Sequence, residues 1–258
     1  AENTVWYEPV IADPDACPPL AFDPENDWWQ QHVAVIREAL RRADGRYLVG
    51  YPDLVENLDT LAQLRDPETL MMDLIERPGW VKEKIFEINA AFFEAFDALW
   101  ELLRDPWGGN TFFAFSLWGP GKTAKVQCDL ACMIDRQMFH DFVVPGLEEQ
   151  CAWLDYSMFH LDGTQARHQL PELLDIEALD AIEWTPQSSL PGGGSPEWYD
   201  LYREIKAAGK AVQAIRVGPD EVEPLLDAVG PEGMFICTST ETEEEARKLL
   251  ERCGWPAA

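Results

Sequence analysis

The sequence is poor in positive charge. Of its 258 residues only 20 are Lys or Arg, against 47 Asp or Glu, so the formal net charge is −27. A surface of this sign repels the phosphates of nucleic acids and anionic membranes. We therefore expect neither a nucleic acid nor a membrane as a partner.

Several common signatures are also missing. The sequence contains no run of 18 apolar residues, so it predicts no membrane span. The six cysteines are irregularly spaced and contain no Cys-x-x-Cys, which indicates a reduced, cytoplasmic chain and not a disulfide scaffold. No Gly-x-Gly-x-x-Gly follows a predicted strand, which excludes the usual dinucleotide fingerprint. Residues 119–123 resemble a phosphate-binding loop but lack its first glycine.

What is present indicates a folded globular protein. The hydrophobic fraction is 47% and aromatic residues make up 11%, far above the values of a disordered acidic chain. We expect one domain over residues 1–258, in which the Pro- and Asp-rich residues 1–26 form an irregular entry segment.

Short apolar runs alternate with helical patterns along the chain. This alternation predicts a parallel sheet covered by helices. Six strands leave two alternatives, an open doubly wound sheet or an eight-stranded barrel without its start. The predicted strands are 47–51, 124–129, 153–160, 181–184, 211–215 and 233–237.

Polar residues follow these runs where each strand is predicted to end, which is where barrel enzymes place their chemistry. They are Asp53, Gln127, Asp129, His160, Asp162, Glu183, Gln187, Arg216 and Cys237. For some, a structural role is an alternative: Asp53 and Asp129 could cap helices, and Cys237 could be an ordinary buried thiol. Trp118 belongs either to the core or to a pocket wall, and His160 is expected to face the interior of the barrel.

Residues 153–163, Trp-Leu-Asp-Tyr-Ser-Met-Phe-His-Leu-Asp-Gly, resemble a segment of the uroporphyrinogen decarboxylase superfamily. Residues 45–54, 126–129 and 179–186 resemble further segments in the same order. The likeness is to the branch that contains corrinoid and coenzyme M methyltransferases. It implies a (β/α)8 TIM barrel that lacks its N-terminal one or two strands here, either because the chain is a C-terminal fragment or because its subgroup is shorter.

The resemblance also implies a metal site. Zinc methyltransferases of this family bind the metal through a His-x-Cys pair and a later Cys. The matching residues here are His160, Asp162 in place of the first Cys, and Cys237. All three side chains can bind zinc, although a carboxylate is a harder ligand than a thiolate.

Three functions follow as alternatives. The first is methyl transfer between a small methylated substrate and a corrinoid protein or a thiol, with zinc as cofactor. Its predicted catalytic residues are His160, Asp129 and Asp53, and its predicted substrate-binding residues are Trp118, Gln127, Glu183, Gln187 and Arg216.

The second alternative is decarboxylation of a porphyrinogen-like substrate, which needs no cofactor. A buried Asp53 or Asp129 would stabilise the cation formed on ring protonation. Such a substrate carries carboxylates, and only Arg167 and Arg216 stand near the predicted strand ends to offset them. The third alternative is a non-catalytic barrel that binds a small molecule.

Overall fold

A computed structural model describes residues 7–255 of the chain. These residues fall into two compact units, which divide between Ser157 and Met158. Within the described residues, no helix is both long enough and apolar enough to cross a membrane.

The first unit is mostly helical. The first helix begins where the Asn26 side chain accepts hydrogen bonds from the backbone N–H groups of Trp28 and Trp29. The third and fourth helices each begin with a proline, which needs no partner for an N–H group. In the described part of this unit the α-helices are α1 Asp27–Ala43, α2 Asn57–Arg65, α3 Pro67–Glu76, α4 Pro78–Leu103, α5 Arg136–Phe142 and α6 Val144–Trp153.

The long helix α4 provides the centre of this unit's core. Its buried residues recur at helical spacing, including Ile85, Phe92 and Phe96. Tyr51 stacks on Phe96 with ring centroids 4.5 Å apart, and Trp153 at the end of α6 meets the same ring edge-on. The aromatic face of α4 therefore packs against both α6 and the segment around Tyr51, which precedes α2.

Three short strands complete the first unit: β1 Gly109–Phe112, β2 Leu117–Pro120 and β3 Thr123–Gln127. β1 and β2 form an antiparallel hairpin. The Asn110 side chain then fixes the start of β3, because it donates to the carbonyl oxygen of Thr123 and accepts from its N–H.

The prediction of a strand at 47–51 is wrong. Only Tyr51 makes a parallel bridge, to Phe112, and the rest of the segment is irregular. The apolar side chains of Tyr47 and Leu48 are exposed, so they form no buried strand face. Pro52 follows at once and has no N–H group to extend a ladder.

The second unit alternates strands and helices, as predicted. The strand β4 begins just before the boundary, and β4–β5, β5–β6 and β6–β7 are parallel neighbours. The elements are β4 Tyr156–Asp162, α7 Leu170–Asp175, β5 Ala181–Thr185, α8 Tyr199–Ala207, β6 Ala211–Val217, α9 Val222–Val229, β7 Met234–Thr238 and α10 Glu243–Arg252. The fold is thus mixed α/β with parallel strands, and a closed eight-stranded barrel stays a prediction.

The glycine-rich segment 191–195 is packed against β6. Gly193 N–H donates to the carbonyl oxygen of Ile215, and its own carbonyl accepts from the Tyr202 hydroxyl at 2.7 Å. A Cβ atom at Gly192 would collide with the backbone carbonyl of Arg216. The glycines therefore permit a close approach of two backbones.

We expect Gly192→Ala to lower the free energy of unfolding by about 1–3 kcal/mol, because the added methyl group overpacks this contact. Gly79→Ala is the matched control. A Cβ atom there meets nothing within 4 Å and the residue lies in α4, so this change should be neutral or stabilising. Urea denaturation of both variants measures the difference, and equal stabilities would contradict the packing argument.

Candidate functional site

The end of β4 presents two polar side chains on one face. His160 and Asp162 are two residues apart, so strand alternation turns them to the same side. Leu161, which lies between them, points to the other side and is fully buried. Parallel pairing sets Glu183 of β5 directly beside His160.

His160 and Glu183 form a hydrogen-bonded pair. The Nδ1 atom of His160 lies 2.5 Å from Oε2 of Glu183, whose side chain is fully buried. The Thr185 hydroxyl donates to the other carboxylate oxygen at 2.8 Å. Burial raises the pKa of Glu183, and the hydrogen bonds from His160 and Thr185 oppose that shift. Because Glu183 engages Nδ1, the Nε2 atom of His160 points away from this carboxylate.

The polar row continues across the sheet. Gln213 of β6 pairs in register with Glu183, and its Nε2 atom donates to Sγ of Cys237 at 3.2 Å. Burial raises the pKa of the Cys237 thiol; the hydrogen bond from Gln213 opposes this shift and the nearby Glu183 adds to it. We call these four residues, His160, Glu183, Gln213 and Cys237, the polar row. It crosses the neighbouring strands β4, β5, β6 and β7.

The loop after β5 is fastened to a bulge in β6. The register of β6 and β7 shifts between Ala214 and Val217, and Arg216 within this bulge has a positive φ of 54°. The Arg216 guanidinium donates to the carbonyl oxygens of Pro186 and Gln187. The Gln187 side chain in turn accepts from the Thr164 hydroxyl at 3.1 Å. Arg216 and Gln187 thus lie at the same strand ends as His160 and Glu183.

Two of the three predicted metal ligands fit a metal ion. One ligand atom of His160 and one of Asp162 lie within 4.8 Å of each other. Glu183 contacts the Nδ1 atom of His160, and a carboxylate in this position usually orients a metal-binding histidine. The third predicted ligand, Cys237, belongs to the polar row through Gln213, and its role as a ligand stays a prediction.

The first unit contains a charged cluster around the buried Lys125 of β3. Its Nζ atom lies 2.7 Å from Asp53 Oδ1 and 2.6 Å from Gln127 Oε1, and Glu56 Oε2 is 3.9 Å away. Burial lowers the pKa of Lys125, but Glu56, Asp53 and Asp129 raise it, and the net pKa is above its usual value. Asp53 is thus paired with a lysine and does not cap α2, which begins without a side-chain cap.

Carboxylates hold the chain after β3 in place. Glu56 Oε1 accepts from the N–H of Gln127 at 2.6 Å, and Asp59 accepts from the N–H groups of Asp129 and Leu130. Burial raises the pKa of Glu56 to about 8, an effect that Lys125 opposes and that Asp59 and Asp53 increase. Glu56 is therefore protonated at neutral pH.

Sequence reasoning missed Glu56, Asp59 and Lys125. The signal for Lys125 was visible, since a lysine inside an otherwise apolar strand needs a buried partner. The two acids gave no such signal, because acidic residues near a helix start are common. That Asp53, Gln127, Asp129, His160 and Glu183 open toward one common cavity at the carboxyl ends of the strands stays a prediction.

Trp118 lies in the β1–β2 hairpin. Its indole Nε1 donates to Asp105 Oδ2 at 2.7 Å, and about half of its surface is exposed. Asp105 also accepts from the N–H groups of Trp107 and Gly109. The indole is thus fixed at the surface of the hairpin and does not belong to the core.

The raised pKa of Glu56 predicts a pH-dependent stability. Between the ordinary carboxyl pKa of 4.5 and about 8, the folded state holds a proton that the unfolded state has released. The free energy of unfolding should therefore fall as pH rises through this window. Glu56→Gln keeps an acceptor for Gln127 and should remove this part of the pH dependence, whereas exposed Glu101→Gln should retain it. Urea titrations at pH 5 and pH 9 give the comparison, and a wild-type pH dependence in Glu56→Gln would contradict the prediction.

Comparison with known proteins gives a likeness of fold alone. No family model and no curated protein matches the sequence. Among solved structures, a methyltransferase from Methanosarcina mazei is similar, with a TM-score of 0.55 and 13% sequence identity. The match covers 91% of this chain and 69% of that one. The chain therefore has a fold similar to that of a methyltransferase.

Proposed function

We propose that this protein is a methyltransferase that moves a methyl group between a small methylated substrate and a corrinoid protein or a thiol. The observation that carries the proposal is His160, which a buried glutamate orients at the carboxyl ends of parallel strands. Fold likeness to a methyltransferase agrees with this proposal, but a fold alone does not define an activity.

In the proposed site, His160 and Asp162 would hold a zinc ion, with Cys237 as a third ligand. Bound zinc would supply a Lewis acid that stabilises the thiolate form of a thiol. Glu183 would hold the proton on Nδ1 of His160, which leaves Nε2 as the metal-binding atom. Gln213 would orient the sulfur of Cys237 through its hydrogen bond.

In the transfer to a thiol, the sulfur attacks the methyl carbon of the donor. A carbon–sulfur bond forms, the bond between the methyl group and the donor breaks, and the thiol proton is released. Lowering the pKa of the thiol favours this step, because the thiolate is the nucleophile. Arg216 and Gln187 would border the substrate at the same strand ends.

We expect protein purified without chelator to contain about one zinc per chain, since three protein ligands suffice for a catalytic zinc. His160→Ala should abolish metal uptake and leave the fold intact.

Glu183→Gln should weaken the metal affinity about 10–100-fold, because it loosens the orientation of His160. Affinity should also fall as the pH is lowered, because a protonated imidazole cannot bind a metal ion. Elemental analysis and a competitive chelator titration measure these changes.

The matched control is His140→Ala, which removes an exposed histidine of α5 and should leave the metal content unchanged. Transfer from methylcobalamin to 2-mercaptoethanol, followed by absorbance, tests the activity itself. Protein that binds no metal and transfers no methyl group would refute the proposal. Turnover of a porphyrinogen without metal would favour decarboxylation, and ligand binding without turnover would favour the binding barrel.

A further inference from the structure

The first unit contains a cavity of about 550 Å³ whose lining includes none of the proposed zinc ligands. Residues of α1, α2 and α4 line it, together with the segments before α1 and α2. This volume is in the range of small-molecule sites.

The lining of the cavity is aromatic and acidic. Four aromatic side chains contribute to the wall: Phe22, Trp28, Trp29 and Phe92. The charged side chains are two carboxylates, Asp23 and Asp53, and the described lining includes no Lys or Arg. Aromatic faces and carboxylates both attract cations, so the wall favours a positively charged guest.

The wall is built on fixed contacts. Phe22 packs edge-on against Trp29 with ring centroids 4.6 Å apart. The N–H of Leu20 donates to Glu87 Oε2 at 2.7 Å, and Lys84 holds the same carboxylate at 2.9 Å. The segment before α1 is therefore tied to α4 through Glu87.

Trp28 is left largely in water. Its side chain lines the cavity although the residue is 75% exposed. Covering a large aromatic surface with a ligand removes it from water and so lowers the free energy of the complex. The neighbouring Trp29 is already partly buried against Phe22, which gives a ligand one fixed and one open aromatic face.

Asp53 joins the cavity to the charged cluster around Lys125. One of its oxygens pairs with Lys125, while about half of its side chain stays exposed. Lys125 itself lies near both Asp53 and Asp129, so a single positive charge faces two carboxylates. The cluster therefore does not reverse the negative potential that Asp53 and Asp23 give the cavity.

We propose that this cavity binds an organic cation, an ammonium group that carries apolar substituents. The apolar part would contact Trp28 and Phe92, and the positive charge would lie near Asp53 and Asp23. The inference does not depend on the proposed zinc site, because none of His160, Asp162 and Cys237 lines the cavity.

Choline and its neutral isostere 3,3-dimethyl-1-butanol test the proposal directly, because they differ in charge but hardly in shape. We expect choline to bind at least about tenfold more tightly by isothermal titration calorimetry and to quench tryptophan fluorescence. Raising the salt concentration should weaken the binding of choline and leave the affinity of the isostere unchanged.

Two variants locate the site. Trp28→Leu and Asp23→Asn should each weaken choline binding severalfold, and both change exposed residues, so the fold should survive. The control is Trp107→Leu, which removes a tryptophan of the same exposure outside the cavity and should bind choline like the wild type. Circular dichroism checks the fold of each variant.

Metal-stripped protein and His160→Ala should bind choline normally, which separates this proposal from methyl transfer. Equal affinity for choline and its isostere would show an apolar pocket without cation preference and would overturn the proposal. Absence of choline binding at millimolar concentration would overturn it as well, and so would unchanged affinity in both Trp28→Leu and Asp23→Asn.

Discussion

In-register pairing of the parallel strands is the constraint on which the polar row of the second unit depends. His160, Glu183 and Gln213 occupy equivalent positions on β4, β5 and β6, so their side chains meet on one face. A slip of one residue in any strand would move its polar side chain to the other face. The buried Trp184 opposes such a slip, because it would then leave its packing against Trp198.

Burying a charged side chain is costly, and in both units hydrogen bonds to the buried charged groups offset part of this cost. Glu183 is shielded from water but accepts from His160 and Thr185. Lys125 is equally buried and donates to Asp53 and Gln127. Such groups contribute little to stability compared with apolar residues of the same size, and they are concentrated at functional sites. Their retention at strand ends agrees with a role in binding or chemistry.

The sequence was most informative where local pattern decides structure. Regular alternation after residue 156 predicted four parallel strands close to their observed bounds, because each apolar run is short and bounded by turns. The same reasoning failed at 47–51, where apolar residues are present but no neighbour buries them. The glycines at 192–194 likewise gave no local signal of their close packing against β6.

By itself, the sequence determined the chain's acidic character, its helices and parallel strands, and the polar residues at the strand ends, because composition and periodicity are local properties. Only the tertiary structure decided which of those residues meet. It paired His160 with Glu183 across 23 positions and Gln127 with Asp59 across 68. It also formed the cavity beside Trp28. Contacts at such separations depend on strand register and helix packing, which no single segment of the sequence encodes.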